Sequence, residues 1–272
     1  MNKWFTLKRT ALGLTLTLII LGILFILLDI LDIGEGYRLN LSIAVINTIF
    51  INVVALVTIF LTTRNYLQSG SPEILALGGG ALAFGFSIIL YGWLTNTDLN
   101  TRITVYDSGV LLASVVYLAG AFFSMKKHGP SGWKSGWNKP SVITIYAAIV
   151  IIIAVIAWLA YQDIITVFMH KFTEHFAARD IVQGIAAIFC VSAALIYLGR
   201  YRGSRANIYF WYSLGLILFA MGVIFISRGS LESRIAWLGR ASQYVAGIYF
   251  LAAALSACKQ SYANGVEGKK EL

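Results

Sequence analysis

Eight apolar runs, each about 18 residues or longer, follow one another along this chain with only short polar segments between them. A run of that length crosses the ~30 Å hydrocarbon layer as a helix rising about 1.5 Å per residue. One such run can be buried inside a soluble domain, but eight in succession cannot all find cover there. They fall near residues 11–30, 40–62, 73–94, 106–124, 142–162, 180–199, 207–227 and 236–257. Hydrophobic residues make up 58% of the chain and charged residues 12%, against about 25% charged in soluble domains. The expected fold is therefore all-α, a polytopic transmembrane bundle of about eight spans. The bundle is read as a single domain over residues 1–257, with a short polar cytoplasmic tail over 258–272.

The first run follows Lys3, Lys8 and Arg9, as a signal peptide would. It is longer than an h-region of about 7–15 residues, and no small-x-small cleavage site follows it. It reads as a retained anchor. Orientation then follows from the basic residues. With the N-terminus inside, the inner segments hold Arg64, Lys126, Lys127, Lys134, Arg200, Arg202, Arg205 and Lys259, among others. The outer segments hold fewer, several beside carboxylates. That bias satisfies the positive-inside rule and places both termini in the cytoplasm of a multi-pass plasma-membrane protein. The net charge of +9 is thus a topology signal, and no basic groove with interleaved aromatics points to nucleic acid. Cys190 in mid-span and Cys258 at the inner edge lie at different depths and are not expected to pair.

The last span is the most informative. Arg240, Gln243, Tyr244 and Gly247 fall at i, i+3, i+4 and i+7 and share one helical face. Gly239, Ser242, Ala246, Ala253 and Ala257 form a second stripe of small residues suited to close helix contact. Similar stripes run through the third span (Gly78, Ala81, Gly85, Gly92) and the fourth (Gly109, Ala113, Gly120). Asp107, at the expected mouth of the fourth span, reads first as a helix cap. Between Gln162 and Asp180, Phe168, Phe172 and Phe176 recur every four residues, the pattern of an amphipathic helix on the outer surface. His170, Glu174 and His175 in that stretch do not make a metal site, because i, i+5 sends the two imidazoles to diverging faces.

Enzymatic signatures are missing. Every ionisable residue falls at a span end or in a loop on this reading, so neither a proton relay nor intramembrane haem ligation is expected. No His-Glu-x-x-His, phosphate loop or dinucleotide fingerprint occurs, and no cofactor is expected. What remains is an outer cluster, Trp93, Asn96, Tyr106, Asp107, Arg179, Asp180, Arg240, Gln243 and Tyr244, near the outer ends of spans three, four, six and eight. Two readings of it stand. The bland and preferred one is a structural tie between Arg240 and Asp107 or Asp180; the other is a polar ligand pocket open to the outside.

Ala76-Leu-Gly-Gly-Gly80, Trp93 at a span end, Tyr106-Asp-Ser-Gly109, Tyr117-Leu-Ala-Gly-Ala121 and Trp237-Leu-Gly-Arg-Ala-Ser-Gln-Tyr244 with Gly247-Ile-Tyr249 resemble one family. These are the membrane-integral sensor domains (the MASE type among them) at the N-termini of prokaryotic histidine kinases and diguanylate cyclases. The likeness covers most of residues 40–257. It implies a sensory input module that detects an extracytoplasmic or lipid-borne signal and passes it to a cytoplasmic signalling partner. After Lys259 only a short polar tail follows, so an effector on another protein, or an isolated input module, is expected. The partners expected are the bilayer, a second copy of the chain, and a kinase or cyclase. The alternatives are a small-molecule or lipid transporter, which needs a polar path to both faces, and a non-catalytic subunit of a membrane complex.

Overall fold

The structure is a computed structural model that describes residues 40–94, 97–125, 139–165, 177–228 and 233–267. Every regular element among them is helical. The expected span at 11–30, the inner loop over 126–138, the whole Phe168–Phe176 stretch with its histidines, and Asn96 lie outside the described residues.

The first described span consists of α1 (Asn40–Asn47), a π-helical segment (Thr48–Val53) and α2 (Val54–Ser69). Gly70 ends it in the left-handed conformation at φ 68°, its N–H reaching the Tyr66 carbonyl at 2.7 Å. A glycine is suited there because a Cβ would be strained. α3 (Pro72–Trp93) opens with proline at its first position and Glu73 in its first turn, both favoured at a helix N-terminus. α4 (Leu99–Met125), α5 (Lys139–Tyr161), α6 (Ala177–Ser204), α7 (Asn207–Arg228) and α8 (Arg234–Glu267) follow. Among the described residues seven helices are long and apolar enough to cross a membrane, and each corresponds to one of the expected spans. The chain is a multi-pass helical membrane protein.

Six spans close a ring in the order α2, α3, α4, α6, α7, α8 and back to α2, while α5 packs on the outside of α3 and α4. In its most apolar stretch α3 is 78% buried and α5 only 17%. α3 is therefore an inner element and α5 presents most of its surface to lipid. The centre of the ring is aromatic. Phe84 of α3 meets Phe219 of α7 at 4.8 Å, Tyr117 of α4 meets Phe250 of α8 at 5.1 Å, and Tyr197 of α6 stacks on Tyr212 of α7 at 4.3 Å.

The small-residue stripes supply the close contacts. On α3, Gly92 faces Ala44, Gly85 faces Ala55 and Gly78 faces Thr62, so one glycine stripe seats the whole first span. α7 and α8 cross where Gly222 and Gly239 meet. A Cβ on either would stand 2.7 Å from the other's carbonyl oxygen. In lipid, where apolar burial between helices gains little, such backbone approach is what holds helices together. Ser242, Ala246, Ala253 and Ala257 continue this seam and are all buried.

Candidate functional site

The ring has one markedly polar end, where α3 and α7 finish and α1, α4, α6 and α8 begin. α4 begins earlier than its hydropathy suggests. The stretch just before residue 106, left outside the expected fourth span, is helical from Leu99, and the Asp98 carboxylate accepts from the Thr101 backbone N–H at 3.4 Å. Asp98 is therefore the cap, and Asp107 is not. Thr101, Ile103, Thr104 and Val105 are buried, and Thr101 Oγ1 reaches the Ala160 carbonyl of α5 at 3.2 Å, so packing overrides polarity here. Asp107 consequently lies about 12 Å along the helix and is fully buried. The expectation that ionisable groups avoid helix interiors is corrected by this residue.

Asp107 pairs with Arg179 of α6, Nε to Oδ2 at 3.6 Å. Gln183, one turn further along α6, donates its amide N–H to the other carboxylate oxygen. Arg179 Nη2 donates to the Ile226 carbonyl of α7 at 3.2 Å. Two buried charges cost several kcal/mol each to desolvate, and a geometry that also satisfies their hydrogen bonds is what offsets that cost. The tie therefore exists, but its arginine is Arg179. The pairing preferred from sequence gave Arg240 that role. Asp180, the other proposed partner, is exposed. It cannot share a face with Arg179, its immediate neighbour on the helix.

Arg240 enters the same end from α8. It is buried, and its guanidinium lies 4.9 Å from the centroid of the Trp237 ring. Gln243 donates to the Tyr106 hydroxyl at 2.7 Å. Tyr244 donates to Asn47 Oδ1 at 2.8 Å and stacks on Phe50 at 5.6 Å. Together these bonds fasten α8 to α4 and to the start of the first span. Trp93 is half-exposed at the rim and donates to Thr48 Oγ1 at 3.2 Å, outside the cluster proper.

Tyr106, Arg179, Arg240 and Gln243 line one cavity of about 20 Å³, together with Asn47 and Tyr91. That is room for a water or so, far below the ~300 Å³ at which small-molecule pockets begin. Of the outer cluster read from sequence, Tyr106, Arg179, Arg240 and Gln243 line this small cavity, Asp107 and Tyr244 bond beside it, and Trp93 and Asp180 are exposed apart from it. Gln183 and Asn47 are the members sequence reasoning missed. Gln183 shares a helical face with Arg179 at i+4, and Asn47 interrupts an apolar run; both signals were present. Among the described residues no group of three or more His, Cys, Asp or Glu side chains could hold a metal ion.

At the opposite end Tyr209 donates to Glu73 Oε1 at 3.3 Å, and the Arg200 guanidinium lies 5.7 Å from the Tyr209 ring. This second, smaller cluster joins α3, α6 and α7.

Comparison of the chain with protein-family models, curated proteins and solved structures gives no match.

Proposed function

We propose that this protein is a membrane sensory module, in which a signal arriving at the polar end from outside or from the bilayer shifts α8 and so informs a cytoplasmic signalling partner. The observation that carries the reading is the course of α8. It holds Arg240, Gln243 and Tyr244 near one end and runs unbroken to Glu267, about 50 Å at 1.5 Å per residue. A rod of that length fastened by side chains at one end transmits a change there to the other. A ligand biases such packing only through its differential affinity for two arrangements. The aromatic centre of the ring supports this reading over a transporter, which needs a polar path to both faces. The resemblance to membrane-integral sensor domains suggests a kinase or cyclase as the partner class.

The test needs no ligand. Spin labels at Gln68→Cys and Gln260→Cys, both exposed at the end remote from the cluster, report the spacing of α2 and α8 once Cys190 and Cys258 are replaced. Asp107→Asn alters the polar end alone. The expected outcome is a shift of the remote distance distribution by about 2 Å or more. An unchanged distribution in a folded variant would sink the sensor reading.

A further inference from the structure

We infer that the polar cavity is the head-group end of a site for a single-chain anionic amphiphile, whose tail lies in a crevice between α2 and α8. This rests on the sensory reading and names the class of its ligand. A second cavity, also about 20 Å³, adjoins the first. Gln243 lines both, but the second is otherwise walled mainly by apolar side chains, among them Val54, Phe84, Phe219 and Phe250. The stripe on α8 runs from one to the other: Arg240 lines the polar cavity, Gln243 the junction and Gly247 the apolar one. A Cβ on Gly247 would meet only Val54 Cγ1, at 3.5 Å, so α8 and α2 approach here without closing on one another. Val54 and Gly247 are half-exposed, on a flank that lipid covers in a bilayer.

One feature of the first span marks the same place. The π-helical turn Thr48–Val53 falls between Asn47, which lines the polar cavity, and Val54, which lines the apolar one. Such turns hold one residue more than an α-helix needs and recur at functional sites.

Size and charge select the ligand. A disc-shaped metabolite would need the ring forced apart, whereas a single alkyl chain slides between two helices with the least separation. A tail moving from bilayer to apolar crevice gains almost no hydrophobic free energy, because lipid is as apolar as the crevice. Recognition must then come from the head. Arg240 and Arg179 line the head cavity; Arg179 is paired with Asp107, so these three groups together leave one positive charge there, and charge-assisted bonds from arginine favour a carboxylate or phosphate.

The experiment uses the full chain in phosphatidylcholine nanodiscs with a 16-carbon fatty acid carrying a mid-chain diazirine. Saturable photolabelling of α2 and α8 peptides is expected, displaced by excess palmitate or lysophosphatidate and not by hexadecanol. Displacement by palmitate assigns a fatty-acid head; displacement by lysophosphatidate alone assigns a phosphate head. Arg240→Gln should weaken the anion's competition roughly tenfold. Gly247→Leu, which fills the crevice, should abolish labelling, while Gly247→Ala, which the spacing admits, should keep it and controls for folding. Labelling that does not saturate, that hexadecanol displaces equally, or that Gly247→Leu leaves intact reports annular lipid and overturns the proposal. The 68–260 distance, read in the same samples, separates the two ideas. Saturable labelling without movement defeats the sensory reading alone, and movement in Asp107→Asn without saturable labelling defeats the amphiphile alone.

Discussion

Asp107 and Arg179 are each costly alone and tolerable together. Breaking a buried pair from one side leaves an uncompensated charge, typically about 3–5 kcal/mol in soluble proteins. Polar contacts measured between transmembrane helices are weaker, on average about 0.6 kcal/mol. The pair here is buried by protein, with Gln183 bonding the carboxylate and the Ile226 carbonyl accepting from the guanidinium, so the larger figure applies. Asp107→Leu is therefore expected to lower the unfolding free energy by about 3 kcal/mol, and adding Arg179→Met should recover most of the loss. Thermal unfolding of the two single variants and the double variant in nanodiscs checks this, and additive losses would show that the two charges do not stabilise one another. At this scale the membership of the cluster was legible, since polar side chains in apolar runs are conspicuous. Partner choice was not. Whether Asp107 meets Arg179 or Arg240 depends on how far α4 extends before it turns inward, and the polar side chains of Asn100, Thr101, Arg102 and Thr104 hid that helix start.

At the scale of the element, the helices were legible because length and hydropathy alone decide what crosses a bilayer, and each described span overlaps its expected range. The small-residue stripes were legible as contact faces for the same reason: only a neighbouring backbone needs so little side chain. Which helices they join was not written in them. The stripe on α3 seats the first span and that on α8 seats α7, a matter of ring order. The Gly222–Gly239 crossing yields a definite expectation. Neither residue can gain a Cβ without moving a backbone carbonyl oxygen that would then stand 2.7 Å from it. Gly222→Ala and Gly239→Ala should each cost about 1–3 kcal/mol, the usual range for overpacking. Gly184→Ala, on α6 with open space around it, should be neutral or slightly stabilising by helix propensity. Equal melting of all three variants would mean the α7–α8 seam is looser than the structure describes.

For the whole molecule the open quantity is which way the ring faces. The polar end holds the expected signal site, so the sensory reading needs that end outside and the Glu73–Tyr209 end in the cytoplasm. The positive-inside rule makes this the expected orientation, with Arg64, Arg200, Arg202, Arg205 and Lys259 towards the Glu73 end. Single cysteines in a background lacking Cys190 and Cys258 decide it. Asp98→Cys and Asp163→Cys sit exposed at the polar end, Gln68→Cys and Ser204→Cys exposed at the other. An impermeant maleimide added to intact cells should label the first pair and spare the second until the membrane is permeabilised. The reverse pattern would put Arg240 and Asp107 on the cytoplasmic side. An outside signal could not then reach them, and the cluster would have to answer to a cytoplasmic or inner-leaflet ligand.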